Sequence, residues 1–230
     1  MPFYVSPEQI MQDKAEYARK GVGRGKSSVT LEYAEGVLLM AENPSSLSKI
    51  GEIYDRVAFA GVGKFSEFDQ LRKVGVRYAD VKGFAYSRDD VRARALANAY
   101  SQAMGDVFTR ELKPLEVEVI VVEVGDPELA GHEKTAIYRI QFDGSISDHS
   151  SYCVIGGASE EITSFLSSEY RVDMPLGEAL SMGRAALRRA TEGEPDVGPE
   201  NLEACVLERA RVGRKFRRLH TDVVSELLGT

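Results

Sequence analysis

Strand-like runs in this chain come in groups, and helical runs come between the groups in pairs, which leaves few folds open. The most demanding run is Val117 to Val124, which is β-branched and nearly continuous in Val and Ile. It reads as a strand buried on both faces. Upstream, Val29–Tyr33 and Val37–Ala41 flank a hairpin-length turn, Ala34-Glu35-Gly36. Asn43-Pro44-Ser45-Ser46 breaks the chain before a second pair, Lys49–Tyr54 and Arg56–Gly61. Downstream, Ala136–Phe142 and Tyr152–Ile155 read as strands separated by a turn at Asp143-Gly144. Leu202–Leu207 and Lys215–Leu219 make a last pair.

Helical periodicity fills the gaps. Ser6 is placed as an N-cap, Pro7 as the first helical residue and Gln9 as a capping-box partner. That helix is expected to end near Gly21, leaving Gly21, Gly23 and Gly25 as a turning connector. A helix is expected from Phe65 to Tyr78, extending to Tyr86 if Gly75 and Gly83 are tolerated. Another follows Ser87, with one apolar row at Val91, Ala95, Ala99, Ala103 and Val107 and a second at Leu96, Tyr100, Met104 and Phe108. A helix capped by Ser159 and running to about Tyr170, and another from Pro175 to about Ala190, form the next helical pair, before a Gly/Pro/acidic loop from Thr191 to Pro199. A short helix ends the chain. Repeated βαβ units would alternate singly. Grouped strands between helix pairs imply antiparallel sheets covered by helix layers, an α+β fold in one domain.

The charge balance narrows the function. Lys and Arg number 29 against 36 Asp and Glu, for a net charge of −7, so a generally basic nucleic-acid binder is excluded. No apolar run approaches the ~18 residues of a membrane span, and Met1-Pro2-Phe3-Tyr4-Val5 lacks the features of a secretory signal. With two cysteines, Cys153 and Cys205, in apolar runs, a reducing cytoplasm is the expected compartment. No cofactor or metal is expected, because the chain has three His and no Cys pair or HExxH. His132, His149 and His220 stand in or beside loop-like segments and read as solvated. Gly21-Val22-Gly23-Arg24-Gly25-Lys26-Ser27 follows a helix and leads into a strand, the reverse of a phosphate-binding loop.

Several ordered stretches resemble the α-subunits of bacterial 20S proteasomes, the actinobacterial kind especially. They include Ser6-Pro7-Glu8-Gln9, Glu16-Tyr17-Ala18-Arg19-Lys20-Gly21 and Gly36-Val37-Leu38-Leu39-Met40-Ala41-Glu42-Asn43-Pro44. Lys49-Ile50, Tyr54-Asp55-Arg56-Val57, Gly63-Lys64-Phe65-Ser66-Glu67-Phe68-Asp69, Tyr138-Arg139-Ile140 and Asp143-Gly144-Ser145 continue the match in register. The resemblance implies a four-layer α-β-β-α sandwich of two antiparallel sheets, the N-terminal nucleophile hydrolase fold. It also implies a mobile gate tail at 1–6, comprising Met1, Pro2, Phe3, Tyr4, Val5 and Ser6, with Pro7 opening the rigid domain at 7–230.

The same resemblance implies a non-catalytic subunit of a threonine-type endopeptidase complex acting in intracellular protein degradation. Its partners are identical subunits in a seven-membered ring, catalytic β-subunits, a ring-shaped AAA+ ATPase or other activator, and unfolded proteins in transit. No nucleic acid or membrane is implied. In the catalytic siblings a free N-terminal Thr works with a carboxylate and a lysine. Here the nucleophile position falls at about Ser27 or Ser28 behind an extension, the carboxylate position on Asn43, and only the lysine is kept, as Lys49. An active hydrolase of this class remains the alternative. The family also implies a pocket for an activator's C-terminal carboxylate, with Lys49, Gly25, Gly63, Lys64 and Glu16 as its residues. The helices at Phe65–Tyr78 and Val91–Phe108 are implied to face β-subunits. A Tyr-Asp-Arg triplet that organises archaeal gates is missing near the N-terminus; Tyr54-Asp55-Arg56 is a different site, at a strand turn.

Overall fold

The computed structural model describes residues 6–129, 131–189 and 197–229. In chain order they form α1 (Pro7–Gly23), β1 (Ser28–Tyr33), β2 (Gly36–Glu42), β3 (Ile50–Tyr54), β4 (Val57–Gly63), α2 (Phe65–Ala85) and α3 (Ala93–Arg110). Then come β5 (Val117–Glu123), β6 (Ala136–Ile140), β7 (Ile146–His149), β8 (Tyr152–Ile155), α4 (Ser159–Glu169), α5 (Leu176–Arg189), β9 (Leu202–Glu208), β10 (Phe216–Leu219) and α6 (Thr221–Leu228). One sheet has the order β10-β9-β2-β1-β8 and the other β3-β4-β5-β6-β7. The strand pairs of both are antiparallel.

Three apolar layers explain the continuous apolar runs. In β5, Val117, Val119 and Val121 face α2 and α3, whereas Ile120 and Val122 face the other sheet. β4 divides the same way: Phe59 packs under the helices, and the small Ala58 and Ala60 lie between the sheets. In β2, Leu38 and Met40 pack under α5, and Val37, Leu39 and Ala41 face inward. Strands buried on both faces cannot alternate polar and apolar residues. The outcome is the expected helix–sheet–sheet–helix sandwich.

Several local expectations are corrected. Gly21 and Gly23 belong to α1 and not to a connector. Glycine disfavours a helix interior, but a Cβ at Gly21 would sit 2.5 Å from the Glu116 side chain, so close packing selects it. The Ser6 hydroxyl accepts from Gln9 N at 3.2 Å, yet the Gln9 side chain donates to Asp13 Oδ1 instead of closing a capping box. Ser87 caps a short 3-10 turn, Arg88–Asp90, and α3 begins after it. Of the two apolar rows on α3, Leu96, Tyr100 and Met104 are buried, while Ala95, Ala99 and Ala103 are half-exposed or exposed. β7 was not expected; the Asp143-Gly144 turn joins β6 to it and not to the Tyr152–Ile155 strand. The residue before α4 is Ala158, so Ser159 lies inside the helix. The expected end of α5 at Ala190 and the loop from Thr191 to Asp196 lie outside the described residues.

Gly75 is what allows α2 to run its full length against α3. The Tyr100 hydroxyl donates to Leu71 O at 2.9 Å, and a Cβ at Gly75 would lie 1.8 Å from that hydroxyl oxygen. Gly75→Ala is therefore expected to destabilise by about 2–3 kcal/mol through overpacking. Tyr100→Phe is expected to cost about 1 kcal/mol for its hydrogen bond. In the Tyr100→Phe background the cost of Gly75→Ala falls, because the oxygen it strikes is gone. Urea unfolding of the two single variants and the double variant measures this coupling, and additivity would contradict it.

Candidate functional site

The site forms where the chain leaves α1, enters β1 and passes beside the start of β3. Lys49 reaches back across this corner. Its Nζ donates to Lys26 O at 3.0 Å and to Glu42 O at 2.8 Å. Burial pushes its pKa down to about 8, a fall that the nearby Glu42 and Glu203 carboxylates moderate. Lys26 forms an ion pair with Glu42 at 3.1 Å.

Glu203 on β9 fixes this corner from below. Its carboxylate accepts from Lys49 N at 2.8 Å, Ile50 N at 3.1 Å and Asn43 Nδ2 at 2.7 Å, and it pairs with Arg218. The sequence reading missed Glu203. The signal was present: a carboxylate inside an apolar strand run needs partners.

Gly25 and Gly63 meet beside it. A Cβ on Gly25 would lie 2.9 Å from Gly63 N and 2.7 Å from the Val62 side chain. Gly63 has φ +107°, and a Cβ there would strike Glu116 O. Lys49, Gly25 and Gly63 thus lie at one corner, joined through Lys26 and the end of β4. Lys64 is next to them as the residue before α2, but its exposed ammonium pairs with Glu67 at 3.3 Å. Glu67 also accepts from Glu116 N at 2.8 Å and pairs with Lys113 at 3.1 Å. Glu116 and Glu67 raise the pKa of Lys113, and Lys113 lowers that of Glu116. Glu16 is exposed on α1, and among the described residues no hydrogen bond or ion pair joins it to this corner.

Ser27, Ser28 and Asn43 lie beside the same corner. Ser27 is buried and follows Lys26 in an unbroken chain, so its nitrogen is a peptide amide. The Ser28 hydroxyl donates to Met40 O at 2.9 Å. Asn43 donates to Glu203 and Leu47 and accepts from Ser45 N at 3.1 Å. The last turn of α1 closes the mouth: Val22 joins the core between the sheets, and a Cβ on Gly157 would lie 2.6 Å from Gly23 O. A cleft of about 430 Å³ remains between α1 and the β8–α4 junction.

Elsewhere, the reading of the histidines as solvated fails for two of the three. His132 is buried and not solvated; its Nδ1 lies 2.5 Å from Glu123 Oε1 and its Nε2 3.5 Å from Arg56 Nη2. Glu123 sits inside apolar β5 and also accepts from Ala93 N. His149 is half-buried on β7, where burial lowers its pKa, and His220 is exposed before α6. Asp55 and Arg56 do lie at the β3–β4 turn, where Arg88 grips Asp55. No group of three or more His, Cys, Asp or Glu among the described residues is arranged to hold a metal. Of the expected gate tail, Met1, Pro2, Phe3, Tyr4 and Val5 lie outside the described residues. Ser6 and Pro7 form the start of α1.

Lys49 makes stability depend on pH. Its folded pKa is lower than its ordinary 10.5, so the unfolded chain binds more protons between about pH 8 and 10.5. The cost of burying the charged amine is fully present below pH 8 and is relieved as pH rises through that window. Urea unfolding at pH 7 and pH 10 is expected to show wild type gaining stability relative to Lys49→Met. Parallel pH dependences for the two proteins would contradict the burial of a charged amine.

Comparison with known proteins bears on the whole chain. Residues 22–207 match the family described as "Proteasome subunit". A protein of Kineococcus radiotolerans named "Proteasome subunit alpha" is 48% identical over 99% of this chain and 97% of its own length. Proteins of the same name from Acidimicrobium ferrooxidans and Xylanimonas cellulosilytica are 47% and 50% identical. They cover 100% and 96% of this chain, and 96% and 92% of their own lengths. The matched family region begins at Val22, so most of α1 precedes it. A sandwich of two antiparallel sheets between helix layers, with these full-length similarities, places the chain in the proteasome subunit family, in the branch whose curated members are named α subunits.

Proposed function

We propose that this chain is the non-catalytic α-subunit of a 20S proteasome core. It forms the seven-membered outer rings, controls entry of unfolded proteins to a chamber of β-subunits, and receives a ring-shaped ATPase or other activator. The observation that carries the reading is the state of Ser27. The position at which a nucleophile with a free amine would stand is buried in mid-chain, and the carbonyl preceding it is bound by Lys49. A peptide amide cannot serve as the base of an N-terminal nucleophile. The buried free cysteines, with pKa values pushed up to about 12, fit a cytoplasmic setting.

The α2 helix supplies a surface for β-subunits. Val74, Tyr78, Val81, Phe84 and Tyr86 are exposed along and just beyond it, with Phe84 94% exposed. The unusual concentration of apolar side chains on one element supports this assignment. The tail at 1–6 is the gate: Ser6 and Pro7 mark where α1 begins, and seven tails meeting near a ring axis would crowd a pore. The pocket for an activator's terminal carboxylate is built on Lys49 with Gly25, Gly63 and Lys64, and Glu16 is the family-implied residue of α1, exposed and not bonded to this corner. A partly buried cation suits a carboxylate leaving water.

Two experiments test the reading. The isolated chain is expected to cleave no fluorogenic peptide and to take no label from an epoxyketone. The same chain co-expressed with a β-subunit is expected to yield a particle that does both; labelling of the isolated chain favours the active-hydrolase alternative. Lys49→Ala is expected to leave assembly and basal peptide cleavage intact while abolishing activator-stimulated protein degradation. Full stimulation of that variant removes Lys49 from the pocket.

A further inference from the structure

The hydrogen bonds of Lys49 fit an amine better than an ammonium. Its Nζ has two acceptors, Lys26 O at 3.0 Å and Glu42 O at 2.8 Å, both of them backbone carbonyls. An ammonium group has three N–H donors, whereas a neutral amine has two and a lone pair. The amine spends both hydrogens on these carbonyls and keeps its lone pair for the remaining tetrahedral position. In the ammonium form that position holds a third N–H, and among the described residues nothing accepts it. The carboxylates at this corner are committed elsewhere. Glu42 pairs with Lys26 at 3.1 Å, and Glu203 pairs with Arg218 and accepts from Lys49 N, Ile50 N and Asn43 Nδ2.

Other lysines are held in the charged form. Buried Lys215 also donates to two carbonyls, Arg209 O and Arg211 O, but its third partner is the Asp126 carboxylate at 3.1 Å. Lys73 pairs with Asp69 at 2.6 Å, and Lys113 with Glu67 and Glu116. Burial, with the Lys26 ammonium adding to it, brings the Lys49 pKa down to about 8 against the pull of Glu42 and Glu203. About a quarter of Lys49 is therefore amine at pH 7.5, against about one part in a thousand for a lysine at its ordinary 10.5. A desolvated lysine of this kind is an activated nucleophile.

We propose that Lys49 is the chain's preferred lysine for acylation by a small acyl phosphate, and that the acylated residue no longer holds an activator's carboxylate. The second half rests on the pocket reading above; the first does not. The Nζ lone pair attacks the carbonyl carbon, and the bond from that carbon to the phosphate oxygen breaks. Inorganic phosphate leaves with the electron pair, and the nitrogen gives one proton to solvent. The half-buried corner is open to a donor of that size. The product is a neutral amide with a single N–H, so one of the two carbonyl bonds is lost with the charge. The acyl group then occupies the position where a docking carboxylate would meet the third N–H. One modification thus removes the cation and fills its site.

The test labels the isolated full chain with isotopically marked acetyl phosphate and reads each lysine by peptide mass spectrometry. At pH 7.5 Lys49 is expected to react roughly tenfold faster than exposed Lys20, Lys73 and Lys134, since partial burial offsets part of its larger amine fraction. Its rate is expected to level off above about pH 8, while theirs keep rising toward pH 10. A rate at Lys49 no greater than theirs, or one that climbs in parallel with theirs, overturns the proposal. Chains labelled at Lys49 are then assembled with β-subunits that have not met the reagent. Activator-stimulated protein degradation is expected to fall in proportion to the labelled fraction, with basal peptide cleavage unchanged. Selective labelling with full stimulation overturns the docking half and the Lys49 pocket together; unselective labelling overturns this proposal and leaves the pocket standing.

Discussion

Burial of the central strands on both faces is the constraint from which the rest follows. β2, β4 and β5 each send alternate side chains into two different apolar layers. Such strands are stable only if helices cover the outer faces and the sheets cover each other. The layer between the sheets is kept thin by Ala58, Ala60, Ala41 and Cys205, and the bulk goes outward to Phe59, Tyr100 and Met40. A sandwich of this kind has open ends, and what closes each end determines its chemistry. At one end Val22, in the last turn of α1, enters the layer itself.

The layers were legible because apolar runs carry them. The buried row Leu96, Tyr100 and Met104, and the buried β5, follow from periodicity and β-branching alone. What escaped notice lies where tertiary contact overrides local preference. β7 reads Ile-Ser-Asp-His, with a single apolar residue, because an edge strand has little to bury. Gly21 and Gly23 suggest a turn by propensity, yet the first is required by the Glu116 side chain. His132 looks like a loop residue until Glu123 is considered, since a carboxylate in the middle of Val117–Val124 demands a buried partner.

The candidate site was legible in part for a similar reason. Lys49, Gly25 and Gly63 come from three separate segments, and only family resemblance placed them together; local pattern carries no sign of it. The structure joins these three through the Lys26 carbonyl and the end of β4. Lys64 is committed to Glu67, and Glu16 stands apart. Glu203 was overlooked because its role is supportive: it holds two backbone amides and the Asn43 side chain in place, and offers nothing to a ligand directly.

The Lys49 corner and the β9–β10 edge differ in what charge they can accept, and the difference follows from their composition. Around Lys49 stand Lys26 and Arg218 with the carboxylates of Glu42 and Glu203. A partly desolvated cation such as Lys49 suits a single carboxylate and penalises a run of them, because each further charge is desolvated without a partner. The β9–β10 edge lies in water, and its guanidinium groups stand outside their acids. Screened contacts of that sort are individually weak, so an edge of this kind needs several of them and an apolar floor to hold a partner. One terminal carboxylate is thus the ligand proposed for the corner.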